Sequence, residues 1–465
     1  MRRTRIVATI GPATESPERL RGLIVAGVDV VRLNAAHAGP GELAAHLGGI
    51  RAAAAGEGRE VGVLLDLPGP KVRLGAVAAG VELEPGKPFR LVTEECVGDA
   101  AHASVSHRGL ADDVVEGDRI LMDDGRLELV VRSTGPGDVR TEVVVGGPLL
   151  SHKGVNVPKV TLSVDALTRY DTTLLAWALA NEIDWVGQSF VRAAEDVLAL
   201  RALMTTRQIP IVAKIEKHEA TERIDSIVEV ADAVMVARGD LGVETSPERV
   251  PVLQRRIVNA ARAAGKPVII ATEMLDSMRE RPRPTRAEAS DVANAIFGRA
   301  DAVMLSGETA VGEYPIEAVE TMARIVVAAE EAASPPRPPR STRVRDDVQA
   351  AVSSAVSDLA SELRLAAIVT ITQSGATTLA VSRYRPVTPI IAAVPSVEAA
   401  RRLGLVWGVR TVIVPFEEKT DPLLDQVTVA VCDAGLVEAG QRVALTAGLA
   451  TRFPGGTDFI HVRTV

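Results

Sequence analysis

Glu216 and Asp240 are carboxylates whose neighbours point to a metal ion. Each follows a short apolar run, Val212-Ala213 before Lys214-Ile215-Glu216 and Met235-Val236-Ala237 before Arg238-Gly239-Asp240. Carboxylate oxygens with positions open to water suit Mg2+ or Mn2+, which prefer oxygen ligands. Lys214 lies inside the first run. A lysine within an apolar strand pattern is poorly explained as a solvated surface group, the more so in a chain with eight lysines against 44 arginines. Other apolar runs also end in polar residues: Arg32 and Asn34; Asp66, Lys71 and Arg73; Ser189; Thr272; and Ser306-Gly307-Glu308. Glu216 or Asp240 taken alone reads more readily as a solvated loop residue. Carboxylates, lysines and arginines gathered at one mouth would instead grip an anionic substrate beside a divalent cation. A second candidate is Thr372-Gln373-Ser374-Gly375-Ala376-Thr377-Thr378, whose hydroxyls and glycine at a helix start match a phosphate cradle. Without other information it is first of all an ordinary strand-to-helix turn capped by Ser or Thr.

These residues share a site only if the runs before them are strands whose C-terminal ends meet. Short β-branched runs over residues 5–10, 28–33, 61–66, 183–189, 210–216, 232–237, 267–272 and 301–305 alternate with amphipathic stretches such as 17–26, 42–55 and 249–264. The runs are apolar on both faces, as in a parallel sheet covered by helices. Eight such units favour a closed (β/α)8 TIM barrel over an open doubly wound sheet, and in such a barrel the catalytic groups come from strand C-termini. The barrel is expected over residues 1–71 and 158–333. Residues 72–157 are rich in valine, glycine and turn signals such as Asp123-Asp124-Gly125, and predict a small all-β domain inserted after the third strand, placed to act as a lid. Residues 334–346 open with four prolines in Ser334-Pro335-Pro336-Arg337-Pro338-Pro339-Arg340, a semi-rigid linker. Residues 347–465 alternate strands at 366–372, 389–394, 410–414 and 442–446 with helices, and end in an edge strand at 458–462: a separate C-terminal α/β domain.

A length of 465 residues calls for more than one domain, and 47% apolar with 24% charged residues is a soluble globular balance. The net charge of −8 offers no general attraction to nucleic acid or to an anionic membrane. Cys96 and Cys432 are the only cysteines and the seven histidines are scattered, so no zinc motif is present and a reducing cytoplasm is expected. The basic start, Arg2-Arg3-Thr4-Arg5, precedes an apolar stretch too short for a signal peptide, and no apolar run reaches membrane-spanning length.

Taken in order, the motifs resemble those of pyruvate kinases. Val212-Ala213-Lys214-Ile215-Glu216 looks like the family's active-site signature, and Met235-Val236-Ala237-Arg238-Gly239-Asp240-Leu241-Gly242 is similar to its next motif. Pro282-Arg283-Pro284-Thr285-Arg286-Ala287-Glu288, Asp291-Val292-Ala293-Asn294 and Met304-Leu305-Ser306-Gly307-Glu308-Thr309-Ala310 continue the match, with Thr9-Ile10-Gly11-Pro12 before them and Lys153-Gly154-Val155-Asn156 at the end of the insert. The resemblance implies phosphoryl transfer between phosphoenolpyruvate and ADP. It implies that Glu216 and Asp240 hold the divalent cation, and that Arg32 and Lys214 neutralise the moving phosphoryl group. The amides around Gly239 and Asp240 would grip the substrate carboxylate, and Thr272 would belong to the group that protonates the enolate through water. Asn34, His37, Arg73 and the lid residue Lys153 would serve the nucleotide. Thr372, Ser374, Gly375 and Thr377 would bind a phosphorylated effector, and the assembly would be a homotetramer.

The chain also departs from that pattern. Ala36 stands where a serine usually helps to coordinate K+, Leu67 where a threonine is usual, and Lys71 where potassium-dependent members have glutamate. A lysine ammonium and a monovalent cation supply the same charge and would repel in one small site, so Lys71, grouped with Asn34 and Asp66, is expected to replace K+. Glu273 stands where many members carry glutamine. An ionised carboxylate only accepts hydrogen bonds, so either a changed proton path or an outward-facing side chain is compatible. Ala376 replaces an arginine seen in many members activated by a sugar bisphosphate, which leaves the effector's identity open. Two rival readings remain: a different Mg2+-dependent enolate barrel such as an aldolase or lyase, and a catalytically decayed paralogue that binds a metabolite.

Overall fold

Strand and helix boundaries follow from where apolar runs meet caps and ion pairs. The computed structural model describes residues 2–36, 38–333, 347–417, 419–448 and 457–465, so His37, the 334–346 linker and most of the last loop lie outside the described residues. Eight parallel strands, β1 (Arg5–Thr9), β2 (Val30–Asn34), β3 (Gly62–Leu67), β4 (Trp185–Gln188), β5 (Ile211–Ile215), β6 (Ala233–Ala237), β7 (Val268–Ala271) and β8 (Ala302–Leu305), close into a barrel in sequence order, with β8 pairing β1. The second strand begins at Val30 rather than at residue 28. Val28 donates its amide to Leu23 to close the preceding helix, and the Asp29 carboxylate holds Arg2, Arg5 and the Ile6 amide at 2.7–3.1 Å.

Alternate strand residues divide between two cores. Val7, Val30, Leu64, Val212, Met235, Ile269 and Met304 fill the barrel interior, while Ile6, Val31, Leu65, Ile211, Val234, Ile270 and Val303 pack outward under the helices. This is why both faces of each run are apolar and periodicity alone is silent about which face is which. Thr285-Arg286-Ala287-Glu288 serves the fold directly. Thr285 and Glu288 form a reciprocal capping box at the start of the Arg286–Phe297 helix, and Glu288 also accepts from the Ser277 amide and hydroxyl.

The insert after β3 forms a six-stranded sheet ordered 155–156, 119–122, 127–135, 138–145, 88–92 and 102–104. It has its own core of Phe89, Leu91, Ile120, Met122, Leu129 and Val131. The C-terminal domain is a five-stranded sheet in the order β11 (Val409–Ile413), β10 (Ile390–Val394), β9 (Ala367–Ile371), β12 (Arg442–Ala447) and β13 (Phe459–Thr464), with β13 antiparallel at the edge as expected. This domain closes the barrel floor, the end opposite the strand C-termini. Leu405 joins the interior core and the Trp185 indole donates to the Arg402 carbonyl at 3.1 Å. A Cβ at Gly62 would lie 2.8 Å from the Arg401 carbonyl oxygen, so glycine is needed for β3 to start against this domain. No helix among the described residues is long and apolar enough to cross a membrane.

Candidate active site

The strand C-termini deliver their polar residues to one mouth. Lys214, the fourth residue of β5, is buried, and its ammonium lies 2.7 Å from Ser189 Oγ, 3.0 Å from Glu216 Oε1 and 3.2 Å from Asp66 Oδ1. Asp66, on β3, also accepts from Arg32 Nε at 2.6 Å, and Arg32 Nη1 reaches Thr9 Oγ1 at 3.2 Å. Burial works against a charge on Asp66, but the neighbouring Lys214 and Arg32 outweigh it and hold this carboxyl below its usual range. Burial likewise works against the Lys214 charge, and Asp66 and Glu216 together raise its pKa nevertheless.

Glu216 is pushed the other way. Burial raises its pKa, Lys214 opposes this, and the charges of Asp240 and Asp66 raise it further. Its second oxygen accepts from the Phe190 amide at 2.9 Å. Asp240 opens the Arg238–Glu244 helix, and its Oδ1 lies 3.0 Å from Lys71 Nζ. The Lys71 ammonium is also 4.0 Å from Asp124 in the insert and 6.0 Å from the Phe190 ring. Its stem crosses Gly154, where a Cβ would lie 2.8 Å from Lys71 Cε. Glu216 and Asp240 therefore repel each other, with Glu216 buried and Asp240 partly open to water. A divalent cation shared by them would relieve that repulsion, so the donor set fits Mg2+ or Mn2+. Among the described residues no group of three or more His, Cys, Asp and Glu side chains is arranged to hold a metal ion by itself. Mg2+ characteristically takes one or two protein carboxylates and completes its shell with water and substrate phosphate.

Thr272 follows β7 with φ +67°. Its hydroxyl donates to the Ala271 carbonyl at 2.7 Å and accepts from the Gly239 amide at 2.8 Å, which ties the expected proton-path residue to the expected carboxylate grip. Glu273, at φ +53°, has an exposed side chain. Asn34 turns its side-chain oxygen to the Ala36 amide at 3.3 Å. Arg73 and Lys153 sit at the base of the insert, Arg73 donating to the His152 carbonyl at 3.1 Å and Lys153 pairing with Asp123 at 2.8 Å. Glu308 does not join the converging carboxylates. It is buried and accepts from the amides of Leu275 at 3.0 Å and Ser306 at 2.7 Å, bracing two of the mouth's loops. In the C-terminal domain Thr372 Oγ1 accepts from the Gly375 amide at 3.0 Å, and Thr377 accepts from Thr457 at 2.9 Å. Ser374 is the exposed member of that set.

Arg238 was assigned no role from the sequence, yet it anchors this turn. Its guanidinium donates to the carbonyls of Ala271, Thr272 and Glu273 at 2.6–3.3 Å and pairs with Asp291 at 2.6 Å. Two successive residues at positive φ store strain that these bonds offset. The available signal was an arginine placed immediately after an apolar strand, where a lone guanidinium needs several acceptors. Arg238→Met is expected to lower kcat by about a hundredfold, through misplaced Thr272 and Gly239, and to lower Tm. Steady-state kinetics and thermal melts check both.

A family model described as "Pyruvate kinase, barrel domain" matches residues 1–319, and one described as "Pyruvate kinase, alpha/beta domain" matches residues 350–463. The chain belongs to the pyruvate kinase family, and it is a phosphotransferase. Its relatives include "Pyruvate kinase 2" of Synechocystis sp., 44% identical over all of this chain and 79% of the relative. The pyruvate kinase of Geobacillus stearothermophilus is 44% identical over all of this chain and 80% of its own length, and that of Mycobacterium intracellulare 42% over all of this chain and 98% of its own.

Proposed function

We propose that the protein moves the phosphoryl group of phosphoenolpyruvate to ADP, giving pyruvate and ATP as the last step of glycolysis, with Mg2+ or Mn2+ held by Glu216 and Asp240. The observation that carries this reading is the buried Lys214 ammonium, fixed by Ser189, Asp66 and Glu216 at 2.7–3.2 Å. Such a group cannot be a solvated surface charge. It stabilises negative charge at one place, which is most of what a phosphoryl transfer asks of a protein. Arg32 supplies a second cation across Asp66. When bound, the divalent cation polarises the oxygens of the substrate and neutralises part of their charge. Asp240 presents its backbone amide to the substrate carboxylate, joined by the Gly239 amide when it exchanges Thr272 for substrate, and the Thr272 hydroxyl holds the water-borne proton path to the enolate carbon. Asn34, Arg73 and Lys153 serve the nucleotide phosphates together with His37, which lies outside the described residues. Lys153 would exchange Asp123 for nucleotide as the insert closes.

The reaction proceeds without K+. Both Asp66 oxygens are already engaged by cations, Arg32 on one and Lys214 on the other, and Ala36 and Leu67 offer no side-chain oxygen to a monovalent ion. Lys71 brings its own ammonium to the mouth, where it reaches Asp240 rather than Asn34 or Asp66. A monovalent cation about 4 Å from that ammonium would meet roughly 4 kcal/mol of repulsion at a protein-surface dielectric. Pyruvate formation from phosphoenolpyruvate and ADP in potassium-free buffer tests the function and the cation together. Turnover at full rate is expected. Activation by about tenfold or more on adding K+, worth about 1.4 kcal/mol in the barrier, would remove Lys71 from this role, and no pyruvate under any cation condition would remove the function.

Family membership supports a homotetramer and a phosphorylated effector at Thr372, Ser374, Gly375 and Thr377, and the free cysteines Cys96 and Cys432 suit a cytoplasmic location.

A further inference from the structure

The seam between the barrel and the C-terminal domain, at the end of the barrel away from the active site, gathers one buried and four half-buried cationic side chains, more positive charge than the carboxylates of the described residues balance. Arg262 and Lys266 come from the end of the Val250–Ala263 helix and the turn after it, Arg299 from the turn before β8, and Arg383 and Arg385 from the end of the Ala376–Ser382 helix. Among the described residues the one carboxylate in direct contact is Asp301, 3.0 Å from Arg385 Nη2. Asp301 also accepts from the Val268 amide at 3.1 Å. Glu330 is near but occupied by the amides of Arg3 and Thr4 and by the Thr4 hydroxyl at 2.6–2.9 Å. Asp232 faces Lys266 from the far side and is already paired with Arg201 at 2.8 Å.

The guanidinium groups are correspondingly under-used. Arg385 is 5% exposed, and its Nε and Nη1 have no hydrogen-bond partner among the described residues. The Nε atoms of Arg262 and Arg383 are also buried without one. Arg385 rests on the Trp407 ring, 4.6 Å from its centroid, which offsets part of its charge but offers no acceptor in the guanidinium plane. Burial lowers the pKa of Arg262 to about 10, helped by the Arg385 and Arg299 charges and opposed by Asp301. A cavity of about 20 Å3 lies among Arg262, Lys266, Asp301, Ser382, Arg383 and Arg385. It has room for about one water-sized atom.

We propose that this seam is an anion site, in which Arg262, Arg383 and Arg385, with Lys266, take one oxygen of a phosphate-type oxyanion whose remainder faces the open side of the cavity. The oxyanion is either free in solution or carried on a phosphorylated metabolite. The site is distinct from the turn at Thr372–Thr377. That turn opens the Ala376–Ser382 helix, and the seam arginines lie at its other end. On the barrel side the seam meets the Val250–Ala263 helix, which follows the Asp240-bearing helix with only residues 245–249 between. An anion here would therefore fix the C-terminal domain against the segment that carries a catalytic carboxylate.

Phosphate binding to the full chain, measured by titration calorimetry in a buffer whose only other anion is a bulky sulfonate, tests this. Inorganic phosphate should bind the parent and S374A alike, and bind R262Q/R383Q at least about tenfold more weakly, for the loss of two charge-assisted contacts. Glycerol 2-phosphate run in parallel separates the two sources: tighter binding than inorganic phosphate points to a phosphomonoester, weaker binding to the free ion. In the same anion-poor buffer phosphate should raise the Tm of the parent, and R262Q should melt no lower than the parent because it removes like-charge repulsion. Absence of phosphate binding to the parent, or binding lost in S374A and kept in R262Q/R383Q, would overturn the proposal. So would a parent Tm indifferent to phosphate together with a lower Tm for R262Q.

Discussion

Replacing Lys214 by methionine is expected to leave a folded protein whose turnover falls by about a thousandfold or more, the range seen when a single cationic side chain is taken from a phosphoryl-transfer site. Methionine retains the length and most of the volume of the stem but cannot donate to Ser189, Asp66 or Glu216. Asp66 keeps Arg32 at 2.6 Å and so remains charged. Glu216 loses the cation that opposes the effect of burial, and its pKa, already raised, rises further, so that it takes up a proton instead of standing as an unpaired buried charge. That route limits the structural damage to a few kcal/mol out of a typical stability of about 5–15 kcal/mol. Near-UV circular dichroism and a thermal melt establish the fold, and pyruvate formation gives the rate. A folded variant within tenfold of the parent would remove Lys214 from the chemistry. A parent as inert as the variant would mark a decayed paralogue.

Glu216→Gln separates charge from shape. Glutamine can still accept from the Phe190 amide, which the carboxylate meets at 2.9 Å, and stays within reach of Lys214. What is lost is one of the two negative charges proposed to hold the divalent cation. The half-saturating Mg2+ concentration is expected to rise by at least about tenfold, and kcat/KM at subsaturating metal to fall by about a hundredfold or more. Binding of Mn2+ followed by electron paramagnetic resonance reads the metal affinity without relying on turnover. Chelation with EDTA should abolish activity in the parent and Mg2+ or Mn2+ should restore it. Unchanged Mn2+ binding in E216Q would assign the metal to other ligands and leave Glu216 as the partner of Lys214 alone.

Residues differ in how far their surroundings could be read from local sequence. Lys214 is legible because an ammonium inside an apolar strand has few places to go except a barrel mouth, and Glu216 is legible only together with it. Glu308 lies in a comparable position, after β8, yet serves backbone amides. Nothing in Ser306-Gly307-Glu308 distinguishes a carboxylate that faces solvent from one that faces the Leu275 amide, because that partner comes from a different loop. Arg238 is missed for the same reason: its carbonyl acceptors lie 33–35 residues away in sequence and Asp291 lies 53 away. The sequence supplies Lys71 as a cation for the mouth, but its partner, Asp240, is 169 residues away, and only folding chooses between it and Asp66.

By itself the sequence determined the element order, the eight apolar runs, the insertion after the third strand and the separate C-terminal sheet, because these follow from local periodicity, turn chemistry and capping. It also determined which side chains are chemically equipped to hold a metal and a phosphate. Tertiary structure alone decided which strand face became the barrel interior, since both faces of each run are apolar. It also decided which charges became partners: Arg32 and Lys214 on opposite oxygens of Asp66, Lys71 on Asp240, and the seam arginines against a single aspartate. Electrostatic pairing depends on distances between segments far apart in the chain, and those distances exist only once the barrel has closed.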